Sequence, residues 1–264
     1  MRLLGLITNE THGNRAVLVR ETFVATRRFR WQLLLLVFIA AAIPVTELLV
    51  AKLFTDLVID GANRSLLELG LSVSIFAALF IATRIANYIQ KTYRVKFFDR
   101  AFGADTRERS SQKESWEWAM ALELVNVFSF ITQLIVISGF FFALSPAFAG
   151  LNLILVIIIL EVFGRLFRKQ QIIQRGFVEA KRNKEAVAPA ERLGSRIQTA
   201  EFGTLLASFL VVALMGVLIW LSIAGVISLS NTIVFFLGLR LLNTTFSSVS
   251  SSLMRFARAK ANSF

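Results

Sequence analysis

Cysteine is absent from the 264 residues. The chain can therefore form no disulfide, no thiolate nucleophile and no zinc–thiolate cluster. Histidine occurs once, as His12, in a polar stretch. A single imidazole there supplies no metal set and is given no role. Residues 1–30 hold no apolar core followed by small residues at a cleavage site, so no signal peptide is expected. Catalytic signatures are missing as well. There is no H-E-x-x-H, no nucleophile elbow and no aspartate-rich diphosphate motif. Asp56 and Asp60 are four apart, but they read as solvated or capping residues rather than an acid–base pair. An enzyme is not expected.

What is present is apolar. Hydrophobic residues make up 56% of the chain, with 25 Phe against two Tyr. A soluble domain averages about 45–50% apolar residues. The excess lies in long runs, which makes lipid the expected solvent. The formal net charge is +12. In a soluble protein that balance would suggest nucleic acid. Here the charges lie between apolar runs, so membrane topology explains them and no nucleic-acid partner is expected.

A span needs about 20 mostly apolar residues. The first run covers residues 31–53, with Pro44 inside it as an expected kink. The second covers residues 66–89. No Asp, Glu, Lys or Arg occupies the 37 positions between Glu123 and Glu161. As one helix they would reach about 55 Å, too long for a core of about 30 Å. Ser145-Pro146 divides them into spans at 119–144 and 147–167. The 38 uncharged positions between Glu201 and Arg240 behave likewise. Gly225 and Ser228-Leu229-Ser230-Asn231 divide them into spans at 202–224 and 232–252. The expected fold is thus an all-α integral membrane protein of six transmembrane helices over residues 31–264. Residues 1–30 form a cytoplasmic or interfacial segment. Within it, Val17, Leu18, Phe23 and Val24 alternate with Arg20, Glu21, Arg27 and Arg28, the pattern of an interfacial amphipathic helix.

Orientation follows from lysine and arginine. With both termini cytoplasmic, 25 of the 29 basic residues fall inside. Charges within spans cost about 2.5–3.5 kcal/mol each and are candidate functional groups. Arg84 and Glu161 both fall in the inner half and form a candidate ion pair. Glu161 can also reach Arg165 one turn on. Glu47 falls in the outer half of span 1, and Arg240 near mid-depth in span 6. Arg240, Asn243, Thr244, Ser247, Ser248 and Ser251 recur at spacings of three and four, forming one polar stripe. That stripe faces either protein, through small-residue packing, or water.

Two local stretches carry a resemblance. Leu53-Phe54-Thr55-Asp56-Leu57-Val58-Ile59-Asp60-Gly61 ends span 1. Gly225-Val226-Ile227-Ser228-Leu229-Ser230-Asn231-Thr232-Ile233-Val234-Phe235-Phe236 turns into span 6, which leaves through Phe256-Ala257-Arg258-Ala259-Lys260-Ala261. Together with the topology, these resemble the six-helix transmembrane domain of ABC exporters. The resemblance implies a homo- or heterodimer around a central pathway lined by Arg240, Asn243, Thr244, Ser247 and Ser251. It implies ATP and Mg²⁺ on a separate nucleotide-binding subunit and no cofactor on this chain, which carries no G-x-x-x-x-G-K-[ST] and no LSGGQ-like signature. Docking would fall on the loops of Arg100, Asp105, Arg107 and Arg109, and of Glu185, Glu191 and Arg192.

The chain departs from the family in ending at Phe264, about where a nucleotide-binding domain would begin, and in loops of 27 and 34 positions (91–117 and 168–201). A helical arm of about 12 residues would reach roughly 18 Å from the membrane. The expected location is the inner membrane of a bacterium. Two rival readings remain: a structural or regulatory subunit with a degenerate ABC-like fold, and an ATP-independent channel or carrier.

Overall fold

The computed structural model describes residues 27–60, 65–103 and 111–262. Six helices follow in order: α1 Arg27–Asp60, α2 Leu66–Gly103, α3 Ser111–Leu144, α4 Pro146–Arg182, α5 Pro189–Ile223 and α6 Leu229–Asn262. All six are long and apolar enough to cross a membrane. The protein is an integral membrane protein built as an all-helical bundle. Most of the expected amphipathic segment at residues 15–30 lies outside the described residues.

Local chemistry sets the helix ends. Ser65 and Glu68 form a reciprocal capping box at the start of α2. The Glu68 N–H donates to Ser65 Oγ at 3.3 Å, and the Ser65 N–H donates to Glu68 Oε2 at 3.1 Å. Pro146 opens α4 one residue after α3 ends, where its missing N–H costs nothing. The α4–α5 turn is reversed by Lys184 at φ 59°, and the Glu185 N–H returns to the Ala180 carbonyl at 2.9 Å. The α5–α6 turn repeats this with Gly225 at φ 73°, and the Val226 N–H reaches the Leu221 carbonyl at 3.0 Å. Glycine takes that left-handed conformation without a Cβ penalty.

Pro44 does not end α1. A proline inside a helix leaves the carbonyl four residues back without its donor. Here that carbonyl belongs to Ala40, and Gln133 Nε2 of α3 donates to it at 2.9 Å. A backbone acceptor at membrane depth has no water to turn to, so the bond from the neighbouring helix satisfies it.

Helix α6 is the hub. It packs against α3 and α5 along much of its length, and also against α4 and α1. Rings fill the contacts in three levels. Phe141, Phe148 and Phe235 meet near the α3–α4 turn, with centroids 4.6–5.9 Å apart. Phe163 faces Phe246, and Phe167 stacks on Phe256 further down. Small residues let the backbones approach. A Cβ on Gly238 would lie 2.4 Å from Phe141 Cε1, and one on Gly203 would lie 2.7 Å from Ser250 Oγ. Dispersion and close fit drive such association, because lipid tails are as apolar as the core. Helix α2 is the exception: it lies along α1, barely meets α3, and Thr83 is its only buried residue among those described. Thr83 Oγ1 donates to Thr46 Oγ1 of α1 at 3.1 Å.

The helices outrun the membrane. Helix α4 has 37 residues and α5 has 35. These are lengths of about 55 and 52 Å against a hydrocarbon core of about 30 Å. The loop expected over residues 168–201 is therefore two helical arms joined by a turn at residues 183–188. Likewise α6 continues past residue 252 to Asn262. This arm-bearing end is the basic end of the bundle.

Candidate functional site on the last helix

Helix α6 buries one face completely. Leu239, Leu242, Phe246, Val249 and Leu253 are each at most 1% exposed. Its opposite face is not covered by the other described residues. Arg240, Thr244, Arg255 and Arg258 are exposed there, with Ser247, Ser248 and Ser251 half-buried among them. Asn243 turns to α5, where Ser208 Oγ donates to its Oδ1 at 2.9 Å. Arg255 turns to α3, where its Nε donates to Glu123 Oε1 at 2.6 Å. The open face is therefore the floor of a groove walled by α3 and α5.

The predicted stripe is thus partly divided. Thr244 donates to the Leu241 carbonyl at 2.8 Å, Ser248 to Thr244 at 2.9 Å and Ser251 to Ser248 at 3.1 Å. Hydroxyls bonded back to their own helix need no partner across the groove. Small-residue packing falls to neighbours outside the predicted stripe. Ser250, fully buried, donates to the Ala200 carbonyl of α5 at 2.9 Å. Ser252 is buried too and accepts from Arg255 Nη2 at 2.9 Å.

The candidate pair of Arg84 and Glu161 is not formed. Arg84 lies over the Phe80 ring of its own helix, 5.2 Å from the centroid. Glu161 accepts from Arg165 Nε at 3.3 Å. The reason is lateral placement: α2 sits outside the bundle on α1, while α4 packs on α6, α3 and α5. Shared depth in the bilayer does not make two helices neighbours. Among the docking candidates, Glu185 lies in the exposed α4–α5 turn, and Glu191 and Arg192 lie exposed in the first turn of α5. Arg100 falls on α2, and Asp105, Arg107 and Arg109 lie outside the described residues.

At its basic end the groove opens into a cleft of about 380 Å³. Trp116, Gln174, Lys181, Arg192, Arg196 and Arg258 line it, and among the described residues no carboxylate does. Arg258 lies over the Trp116 ring, 5.2 Å from its centroid. Arg196 stands on the arm of α5 that precedes the uncharged stretch beginning at Phe202. Burial, then Arg258 and Arg255, hold its guanidinium below the usual value, and Glu123 opposes them. It remains a cation at neutral pH all the same. Glu123 also accepts from Asn126 Nδ2 at 3.2 Å. None of Trp116, Glu123, Gln174, Arg196, Arg255 and Arg258 stood out as a site residue in the sequence. The arginines read as orientation signals and Glu123 as a run boundary. Only the packing of α3 to α6 brings them together.

A second polar knot lies at the opposite end. Lys52 Nζ donates to Asp56 Oδ1 at 2.7 Å and to Ser230 Oγ at 2.8 Å, and Ser230 Oγ donates to Asp56 Oδ1. It ties α1 to the first turn of α6. Asp56 is therefore an anchor rather than a free acid. Among the described residues no group of three His, Asp or Glu side chains could hold a metal ion. Compared with protein-family models and with curated proteins, the chain matches none.

Proposed function

We propose that this chain is the membrane-spanning subunit of an ABC-type transporter. It sits in a bacterial inner membrane with its basic end and both termini in the cytoplasm. It moves its substrate by alternating access, driven by ATP hydrolysis on a separate nucleotide-binding subunit. The observation that carries the reading is the open polar face of α6. Arg240 and Thr244 stand exposed at membrane depth, where lipid is a costly neighbour for a cation. A water-filled pathway, closed by a second copy or a related chain, is the environment that suits them. The α4–α5 arms supply the coupling. Beyond the expected spans, α4 runs 15 residues (168–182) and α5 runs 13 (189–201). At the usual rise this is a lever of about 20 Å. Its tip offers Glu185, Glu191 and Arg192 to a docking subunit.

Because the chain has no cysteine, single thiols can be placed at will. Thr244→Cys should react with a charged maleimide in sealed membranes, and Val249→Cys, at 0% exposure, should not. An unreactive thiol at 244 means lipid covers the face and there is no aqueous path. Glu185→Lys with Glu191→Lys should weaken co-purification of a nucleotide-binding subunit. Absence of any such partner, together with absence of ATP-dependent transport in vesicles, would overturn the proposal. Transport that persists without ATP would instead establish a channel or carrier.

A further inference from the structure

We propose that the cleft between Trp116, Gln174, Lys181, Arg192, Arg196 and Arg258 is a binding site for a phosphate group. This proposal does not rest on the transport reading: it needs neither the pathway nor a docking subunit, although Arg192 serves in both. Three observations carry it. The first is convergence. Lys181, Arg192, Arg196 and Arg258 converge from α4, α5 and α6 onto one concavity, and no carboxylate is among its described lining residues. Cations gathered in this way repel one another, and an anion between them removes the repulsion. The second is a donor without an acceptor. Gln174 is 5% exposed, lines the cleft, and its Nε2 has no hydrogen-bond partner. A buried amide left unsatisfied is unusual and costly, and a ligand oxygen would satisfy it. The third is donor type. Arg192, Arg196 and Arg258 each offer a planar fork of N–H groups, which matches the paired oxygens of phosphate better than a single ammonium does.

Volume and place narrow the ligand. A space of about 380 Å³ falls near the lower end of the range for small-molecule sites, so it accommodates a phosphate and a modest substituent. Gln174 lies six residues beyond Arg168, the first basic residue past the expected end of the α4 span. That is about 9 Å along the helix, at the level of the headgroups. The phosphate can therefore belong to an anionic lipid headgroup or to a free phosphate compound.

The test uses the full chain, purified and reconstituted in nanodiscs. Pyrophosphate is titrated calorimetrically into discs of phosphatidylcholine alone and into discs also containing phosphatidylglycerol. Saturable binding in both disc types supports the site and assigns it to a free phosphate. Saturable binding in phosphatidylcholine that is lost with phosphatidylglycerol supports the site and assigns it to the lipid headgroup. Arg196→Gln should weaken pyrophosphate by about tenfold through loss of a charge-assisted pair. Arg196→Lys should recover part of that loss. Gln174→Leu keeps the bulk and removes the unpartnered amide. It should weaken binding several-fold while leaving folding intact, as judged by its elution and melting profile. Lys169→Gln removes one charge from an exposed position outside the cleft and should change nothing. No saturable binding in either disc type overturns the proposal. So does a loss with Lys169→Gln as large as that with Arg196→Gln, because the effect would then be diffuse charge.

Discussion

Gly238→Ala is a severe perturbation for one methyl group. The added Cβ would lie 2.4 Å from Cε1 and 2.5 Å from Cζ of Phe141. Carbon atoms in contact sit at about 3.5–4.0 Å, so ring or helix must retreat by about 1 Å. The ring has nowhere to go. Phe141 is 0% exposed and pressed by Phe235 at 5.0 Å and Phe148 at 5.9 Å. Overpacking of this kind costs about 1–3 kcal/mol. Alanine's better helix propensity returns up to about 1 kcal/mol, and less than that where the unfolded reference keeps its helices in the membrane. The net expectation is a loss of about 1–2 kcal/mol, or about 2–8 °C at 2–4 °C per kcal/mol for a chain of this size. The assay is thermal melting in detergent, followed by size-exclusion chromatography. Gly139→Ala is the control: it adds the same methyl with nothing within 4 Å, and should be neutral or slightly stabilising. Phe141→Leu should be less harmful in the Gly238→Ala background than alone, with a coupling of about 1 kcal/mol or more. A Gly238→Ala protein that melts at or above the parent refutes the reasoning, because the α3–α6 contact would then be loose.

Gln133→Leu should destabilise by about 1–3 kcal/mol, because it orphans the Ala40 carbonyl that Pro44 leaves without a donor. Adding Pro44→Ala should reverse most of that loss by restoring the backbone N–H, and a double-mutant melting cycle measures it. Glu123→Gln removes the carboxylate that pairs with Arg255 at 2.6 Å and opposes the repulsion at Arg196. It should cost about 1–2 kcal/mol in the same assay, and the cost should shrink at high salt. Lys184→Cys, in the exposed turn between the arms, should react with impermeant maleimide only from the cytoplasmic face of oriented vesicles. Reaction only from the other face would invert the proposed topology.

Much of the bundle was legible along the chain because lipid imposes a length rule. An uncharged run too long for one crossing requires a turn. Ser145-Pro146 and Gly225 supply turn chemistry at the points where the helices reverse. The extent of the arms was less legible. Residues 168–201 read as a loop with room for helical arms of about 12 residues, and few helix breakers occur there, so both flanking helices continue to the turn near Lys184. The site was least legible. Arg84 and Glu161 share a depth, and depth was all that spacing could give. Asn152 is another case. It is fully buried and donates to Ser138 Oγ at 3.0 Å, joining α3 to α4 within the apolar stretch. Nothing along the chain distinguishes it from a residue facing lipid.

The sequence by itself therefore determined the number of crossings, their approximate ends and the side on which the positive charge collects. Each of these is a one-dimensional property: apolar length, a breaker or a count of lysine and arginine. Only the tertiary structure decided which face of each helix turns inward. In water an apolar stripe would announce that face. In lipid both the buried and the exposed faces are apolar, so the rotational phase is settled by close fit and by the few polar bonds between helices. That phase turned Asn243 toward Ser208 and Arg255 toward Glu123. It left Arg240 and Thr244 in an open groove and drew four scattered cations into one cleft.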